Sequence, residues 1–378
     1  MSGGARDWSR LWAAALLGGS VACNFEVPSA SYLRETTLIT VLVEVTELGE
    51  LNPGRVGPPS PAPITEAMPG DRIALDAYVV DVDGLRVPAD ELDSLWFSCG
   101  VFGCGGSNGN GTDLSSDQFD RDCADLDGTD DDLALPDLDA VCRLGSGDGR
   151  FELEVLPLGP LMVEQRVAQF YGVIAWEGRS AADCWAARRK RDRSLERCGF
   201  IQRSVKIGPS WWMLAYADAL GLPSSIPIPQ IPIATYAQPA NRVPLVELDV
   251  AVGGEVIGRW PDNQSFAVRA GDRVTIEPFY DETSQLLQSY AVGLAIDEER
   301  TRYVFTTAVE TTGERVFSSN ALLVVEYDPS LNGILFPERW EVVVDEYAAS
   351  GTSRVVLHYF DALAVAVVAT LVFEVTGS

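Results

Sequence analysis

Nine aspartates lie within residues 120–139, the densest group of possible metal ligands in the sequence. Among them, Asp125, Asp127 and Asp131 fit the spacing D-x-D-G-x-x-D. Calcium takes six to eight oxygen ligands, and a glycine lets the chain turn tightly enough for alternate carboxylates to converge. However, Pro136 stands where an EF-hand loop starting at Asp125 would carry its glutamate. The segment therefore predicts either a calcium loop or an acidic loop that is simply solvated.

Six of the seven cysteines lie between residues 99 and 198: Cys99, Cys104, Cys123, Cys142, Cys184 and Cys198. The first four border or occupy residues 100–148, a Gly- and Asp-rich segment that cannot make a core and that disulfides would stabilise. Because no C-x-x-C pair is present, a zinc site is disfavoured. We expect three disulfides. Cys184 and Cys198 are expected to bridge the base of a second loop, and the other pairings stay open.

A single dense basic patch lies in that second loop, at Arg188, Arg189, Lys190 and Arg191. Three interpretations are open. The patch is solvated, or it neutralises the Asp-rich segment of the same domain, or it contacts an anionic envelope polymer or a protein partner.

Catalytic patterns are scarce. His358 is the only histidine, and it lies inside the strand-like run Val355–Phe360. A histidine in such a strand is usually structural, and the sequence has no G-x-x-x-x-G-K-[ST] phosphate-binding loop and no H-E-x-x-H motif. We therefore predict a protein that is not an enzyme. An unrecognised hydrolase stays open, because so acidic a chain could hold a pair of catalytic carboxylates.

The N-terminal residues have the pattern of an export signal. Arg6 and Arg10 precede an apolar run, Leu11–Ala22, that is too short to span a bilayer. Cys23 follows at once, an arrangement that resembles the lipobox of bacterial lipoproteins and implies a lipid on the Cys23 sulfur. Ser20 replaces the usual aliphatic residue and would also suit ordinary signal peptidase. Lipidation leaves an even number of cysteines, which favours the lipoprotein.

The overall composition limits the possible partners. With 47% apolar residues the chain can form proper cores, and its net charge of −27 disfavours nucleic acid. An acidic surface also repels anionic membranes, so membrane contact should come from the lipid. The expected partner is an envelope protein or polysaccharide, and the expected cofactor is none unless the Asp-rich segment binds calcium.

A diverged repeat divides the chain into two similar parts. In the first, Leu42–Val45 is followed by Pro69–Leu75; in the second, Leu245–Leu248 is followed by Ala270–Ile276. Each copy has a Gly-Asp turn before an alternating strand, and short β-branched runs recur without amphipathic helices between them. The C-terminal apolar run, residues 362–373, is too short to span a membrane and fits a final strand. The pattern predicts an all-β protein with two sandwiches.

Three features of the first copy are similar to bacterial immunoglobulin-like domains: Pro69-Gly70-Asp71 with Leu75, the turn Asp81-x-Asp83-Gly84, and Trp96. The resemblance implies that they form strand B, the turn after it and a core aromatic on strand C. It also implies two immunoglobulin-like β-sandwiches, and residues 100–148 and 177–198 would be insertions into the first.

The expected organisation has five parts: a signal peptide at 1–22, a tether at 23–35, a first sandwich at 36–208, a Pro-rich apolar connector at 209–241 and a second sandwich at 242–378. The connector is expected to lie against one or both sandwiches and to fix their angle. Within it, Trp211 and Trp212 are either packing residues or a sugar-stacking platform.

These features together predict a non-catalytic, lipid-anchored envelope protein with a structural or binding role. The alternatives are a calcium-stabilised adhesion or carbohydrate-binding module and an extracellular hydrolase. The expected location is a membrane-anchored position in the outer membrane, the periplasm or the cell surface.

Overall fold

The computed structural model describes most of the chain between residues 35 and 376. The described residues are 35–50, 56–57, 62–99, 103–104, 113–125, 141–155, 167–192, 194–209, 240, 242–243, 246–280, 287–292, 295–300, 303–311, 322–327, 335–344, 346, 348, 350–361 and 366–376. The expected signal peptide, Cys23 and most of the connector, including Trp211 and Trp212, lie outside these residues.

Seven strands and one helix form the first sandwich: β1 (Thr37–Glu47), β2 (Arg72–Val80), β3 (Asp93–Cys99), β4 (Val141–Gly147), β5 (Arg150–Glu154), β6 (Val167–Ala175), α1 (Ala181–Arg189) and β7 (Cys198–Lys206). One sheet has the order β1-β2-β5 and the other the order β4-β3-β6-β7. In immunoglobulin sandwiches strands A, B and E share one sheet and C, F and G the other. The first sandwich has this topology, with β4 pairing as an extra strand beside strand C.

The centre of the first core is Trp96 on β3, the strand that corresponds to strand C. Its side chain is fully buried, and its indole N–H donates to Ser94 Oγ at 3.1 Å. A Cβ on Gly172 of β6 would lie 2.6 Å from Cζ3 of the indole ring, so only glycine leaves room for the ring there. Phe151 of β5 stacks on the indole, with ring centroids 6.2 Å apart. The expected core aromatic on strand C is confirmed.

The second sandwich has eleven described strands: β8 (Val246–Val252), β9 (Glu255–Trp260), β10 (Phe266–Arg269), β11 (Arg273–Tyr280), β12 (Leu287–Val292), β13 (Ala295–Arg300), β14 (Tyr303–Thr311), β15 (Leu322–Tyr327), β16 (Leu335–Val343), β17 (Gly351–Asp361) and β18 (Ala366–Thr376). The sheets have the orders β15-β16-β11-β8-β9 and β10-β18-β17-β14, and β12 and β13 form a separate hairpin. Here β8, β11 and β16 take the places of strands A, B and E, and β14, β17 and β18 those of C, F and G. The all-β prediction is confirmed, and β18 is the predicted final strand.

The Gly-Asp turn of the first sandwich precedes strand β2. Gly70 has φ +82°, a backbone conformation that glycine adopts readily, and its N–H donates to the Val155 carbonyl at 2.8 Å. The buried carboxylate of Asp71 accepts from the Met68 N–H at 2.8 Å. The turn therefore joins strand β2 to the chain that follows β5.

The turn of the second sandwich repeats these two hydrogen bonds. Gly271 has φ +86°, and its N–H donates to the Val344 carbonyl at 3.0 Å. The Asp272 carboxylate accepts from the Arg269 N–H at 2.7 Å. Shared turn geometry at the same place in the same topology confirms the predicted repeat.

The strand before each turn was aligned wrongly by the sequence pattern. Val45 lies opposite Ile73 in the first sandwich, and Val252 lies opposite Val274 in the second. Val45 therefore corresponds to Val252, four residues beyond Leu248, with which the sequence repeat had paired it. The reason is that the chain between this strand and the turn is longer in the first sandwich, whereas in the second it is shorter and forms β9 and β10, so similar spacing in the sequence does not give equivalent positions.

Both insertions of the first sandwich contain more regular structure than was expected. Residues 100–148 include β4, a strand of the sheet, and the 3-10 turns Asp117–Asp120 and Cys123–Asp125. Residues 177–198 include the helix α1. Neither insertion is simply a loop.

Candidate functional site: a disulfide-fastened cap

A cap covers the outer face of the sheet β4-β3-β6-β7. We define the cap as residues 103–104 and 113–125 of the first insertion together with α1. The strand beneath it, β3, is buried at Leu95, Trp96 and Phe97, so both of its faces are covered. Trp96 faces the core between the sheets, and Phe97 faces the cap. A continuous apolar run of this kind is typical of a strand covered on both sides.

Aromatic rings form a second core under the cap. Phe97 lies 5.4 Å from Phe119 and 4.7 Å from Trp185, measured between ring centroids. Phe119 and Trp185 lie 5.3 Å apart, and Tyr171 of β6 lies 6.1 Å from Trp185. Phe119 is 1% exposed and Trp185 is 7% exposed, so the insertion contributes packed side chains and is not merely solvated.

Three disulfides connect the cap with the sheet beneath it, which confirms the expected number. They are Cys99–Cys104, Cys123–Cys142 and Cys184–Cys198. The first links the end of β3 to Cys104 of the cap, the second links Cys123 of the cap to β4, and the third links α1 to β7. The pairing expected for the second loop is confirmed, and the structure supplies the two pairings that the sequence left open. Every described disulfide therefore belongs to one face of one sandwich.

The helix α1 is fixed at its first turn by side-chain hydrogen bonds. Ser180 Oγ accepts from the Asp183 N–H at 3.0 Å and donates to Asp183 Oδ2 at 2.7 Å. Asp93 at the start of β3 accepts from the Ala181 N–H at 2.7 Å. The helix was missed from the sequence, although the Ser180-x-x-Asp183 spacing is close to a capping box and could have indicated it.

Ion pairs join the acidic insertion to basic residues of the same domain. Arg189 of α1 donates to Asp120 at 2.5 Å, and Arg143 of β4 makes a two-pronged pair with Asp122, at 2.5 and 2.9 Å. The hydrogen bonds from Arg143 hold the pKa of Asp122 below its usual value. For Arg189, the geometry supports the interpretation that the basic patch neutralises the Asp-rich segment.

The rest of the basic patch has other surroundings. The Arg188 guanidinium lies 5.3 Å from the centroid of the Phe200 ring, a cation–π contact. Lys190 ends the helix, where its backbone N–H donates to the Ala186 carbonyl at 3.2 Å. Arg191 has a left-handed φ of +55°. Contact with an outside polymer or partner stays a prediction for these residues.

The predicted calcium ligands are only partly within the described chain. Asp125 ends the 3-10 turn Cys123–Asp125, whereas Asp127 and Asp131 lie outside the described residues. Among the residues that the structure describes, no group of three or more His, Cys, Asp or Glu side chains could hold a metal ion. The calcium loop therefore stays a prediction.

A cleft of about 350 Å³ lies where β1 begins and the chain passes from β6 to β7. Two of its lining residues contact Glu177 nearby: Arg197 Nε lies 3.0 Å from Glu177 Oε2, and the Thr36 hydroxyl donates to Glu177 Oε1 at 3.1 Å. Both Glu177 and Arg197 have left-handed φ values, +53° and +62°. Trp176 lines the cleft but is only 6% exposed, so it offers no open ring face on which a sugar could stack.

The only histidine is placed within a strand, as expected. His358 lies on β17, opposite Val368 of β18 and Thr307 of β14. No helix among the described residues is both long and apolar enough to cross a membrane.

The strand order and the cap define the class of the protein. It is an all-β chain of two tandem immunoglobulin-like sandwiches, the first with a disulfide-fastened cap.

Comparison with known proteins adds little to this assignment. No protein-family model matches the sequence, and no curated protein matches it significantly. Among solved structures, the two tandem V-type regions of VCBP3, a v-region-containing chitin-binding protein, align at 10% identity and a TM-score of 0.23, covering 90% of this chain and 99% of that one. Dimeric latent PorU from Porphyromonas gingivalis aligns at 12% and 0.18, over 90% of this chain and 24% of that one.

A third solved structure, the C-terminal domain of the Streptococcus agalactiae AgI/II polypeptide BspA, aligns at 10% identity and a TM-score of 0.16. The alignment covers 89% of this chain and 99% of that one. The fold assignment follows from the strand order of the two sandwiches.

Proposed function

We propose that the protein is a non-catalytic component of a bacterial cell envelope, anchored by a lipid on Cys23 and acting through its two sandwiches. The observation that carries the proposal is the set of three disulfides on one face of the first sandwich. Disulfides form and persist in oxidising compartments and are rare in the cytosol. The three disulfides of the first sandwich therefore support export of the protein.

The N-terminal sequence supports a membrane anchor rather than free secretion. A basic and apolar signal ends at Cys23, and removing that cysteine from the count leaves six, which the three disulfides use completely. Thr37, where β1 begins, follows Cys23 by fourteen residues. An extended chain of that length reaches at most about 50 Å. The first sandwich would thus stand close to the membrane surface.

The role of the sandwiches is structural or binding. The first core and the cap are built of packed apolar side chains, and the paired cysteines leave no described thiol free to act as a nucleophile. The partner would be an envelope protein or polysaccharide that meets a rigid, acidic surface.

The test follows the N-terminus of the protein expressed in a bacterial host. We expect the mature protein to begin at Cys23, to carry lipid there by mass spectrometry, and to sediment with membranes. Cys23→Ala should abolish both the lipid and the sedimentation. Ser20→Leu, which restores the aliphatic residue of a lipobox, should keep or raise the lipid-modified fraction.

Two results would contradict the proposal in different ways. A soluble exported protein that begins at an unmodified Cys23 would contradict the lipid anchor but not the export. An intact Met1 in the cytosol with all seven thiols reduced would remove both.

A further inference from the structure

The two sandwiches contact each other through side chains that point away from their own cores. On β2, Val79 belongs to the first core, so Val80 points outward; on β17, Val355 and Leu357 belong to the second core, so Val356 points outward. Both outward valines are nevertheless 0% exposed. They are buried because they pack against each other.

The contact extends beyond these two valines. Ile39 of β1 and Tyr78 of β2 pack on it from the first sandwich, and Val368 of β18 packs on it from the second. At its border, Arg354 of β17 donates to the Asp83 carbonyl at 3.1 Å. The A-B sheet of the first sandwich therefore meets the F-G face of the second.

The chain that enters the second sandwich is also fastened to the first. Arg242 donates to the Ala62 carbonyl at 2.7 Å and to the Val56 carbonyl at 3.1 Å. The Val243 N–H donates to the Pro63 carbonyl at 2.8 Å. Partial burial lowers the pKa of Arg242 below its usual value, as expected for a cation held among backbone carbonyls.

We call the bonds of Arg242 and Val243 to the first sandwich the Arg242 clamp. The chain between this clamp and the second sandwich is very short. Val243 is bonded to the first sandwich, and β8 begins at Val246, so only residues 244 and 245 lie between them. The Pro-rich connector comes before the clamp. The length of the connector therefore does not set the distance between the two sandwiches or the extent of their relative motion.

We infer that the two sandwiches form one rigid unit, locked by the Val80–Val356 contact and the Arg242 clamp, and that the Pro-rich connector is not the hinge. This conclusion stands independently of the membrane anchor, because every contact in it lies within the described chain. A rigid unit holds the far end of the second sandwich at a fixed position relative to the first.

The test measures the rotational correlation time of each sandwich by NMR relaxation of its amides in the full chain. One body gives one shared time, whereas two loosely joined sandwiches give two shorter times. Replacing residues 223–233 of the connector with a Gly-Ser segment of equal length should leave the shared time unchanged. Val356→Asp places a charge in the contact. This variant should disrupt the contact and give two separate correlation times.

Val256→Asp is the matched control, since Val256 lies on β9 of the same sandwich and is 59% exposed. This control variant should retain a single correlation time shared by both sandwiches. If Val356→Asp unfolds the second sandwich, as lost exchange protection of β17 would show, Val80→Asp replaces it, because it places a charge in the same contact from the first sandwich, and it should also give two correlation times.

Two outcomes would overturn the inference. One is a connector replacement that gives two times, because the connector would then be what holds the sandwiches. The other is a folded interface variant that keeps one shared time.

Discussion

The two sandwiches have the same strand order and the same Gly-Asp turn, but they cover their C-F-G sheets differently. In the first, an insertion and a helix form a cap that three disulfides fasten. The second has no cysteine, and the outer face of its F-G strands is buried in part by the first sandwich. One topology thus accommodates two ways of burying an apolar sheet face, one from inserted chain and one from the neighbouring domain.

The largest expected effect comes from removing the central ring of the cap. Trp185→Ala should lower the free energy of unfolding by about 3–5 kcal/mol, because it leaves a cavity beside Phe97 and Phe119. Urea unfolding measures the loss, and hydrogen exchange should place it in β3 and β6. Val256→Ala in the second sandwich is the control and should stay within about 0.5 kcal/mol of wild type. An equally small effect of Trp185→Ala would mean that the cap is not a core.

The disulfide between helix and sheet should have the next largest effect. Replacing Cys184 and Cys198 together by alanine should cost about 2–4 kcal/mol, because the bridge closes a loop of 14 residues in the unfolded chain. Thermal unfolding of the double variant measures the loss. Faster exchange should appear in α1 and β7 while β16–β18 keep their protection. An equal loss of protection in the second sandwich would show that this disulfide does not stabilise the first sandwich alone.

The shared turn allows a direct comparison between the sandwiches. Asp71 is buried and accepts from the N–H groups of Met68 and Gly49, both at 2.8 Å, whereas Asp272 accepts from Arg269 alone among the described bonds. Hydrogen bonds to a charged acceptor contribute about 1.5–3 kcal/mol each, so Asp71→Ala should cost about twice as much as Asp272→Ala. Chemical unfolding of the two variants tests this ratio. Equal losses would show that the second bond of Asp71 adds nothing.

The ion pair on the cap should contribute little. Asp120 is 58% exposed, and exposed pairs contribute about 0.2–1 kcal/mol, so the coupling between Arg189 and Asp120 should be no larger than that. A double-mutant cycle with Asp120→Asn isolates the pair, and Lys190→Met serves as the control. A coupling that persists at high salt would show that the pair is less solvated than its exposure indicates.

The smallest expected effect is the pH dependence of the stability of the cap. Arg143 lowers the pKa of Asp122 in the folded state, so Asp122 contributes stability at pH values above the ordinary aspartate pKa of about 3.9. That contribution is lost as pH falls through the lower, folded value. Arg143→Met should therefore narrow the difference in cap stability between neutral and acidic pH, which exchange measurements at both pH values would show. An unchanged difference would mean that other carboxyls dominate acid sensitivity.

Much of the fold could be predicted because its signals are local. The Gly-Asp turns and the buried Trp96 each depend on a few adjacent residues, and the even number of cysteines after Cys23 indicated three disulfides. The sequence could not predict that the cap encloses an apolar core. Phe119 is a single apolar residue beside aspartates, and it packs on residues far away in the sequence. The Arg242 clamp was missed for the same reason, because one arginine bonded to distant carbonyls leaves no pattern.

Hydrogen exchange with and without a thiol reductant tests directly whether the three disulfides stabilise the first sandwich alone. We predict that reduction accelerates exchange in β3, β4, β6 and β7 and leaves β16, β17 and β18 as protected as before. Acceleration of equal size in both sandwiches, or none in either, would contradict the account.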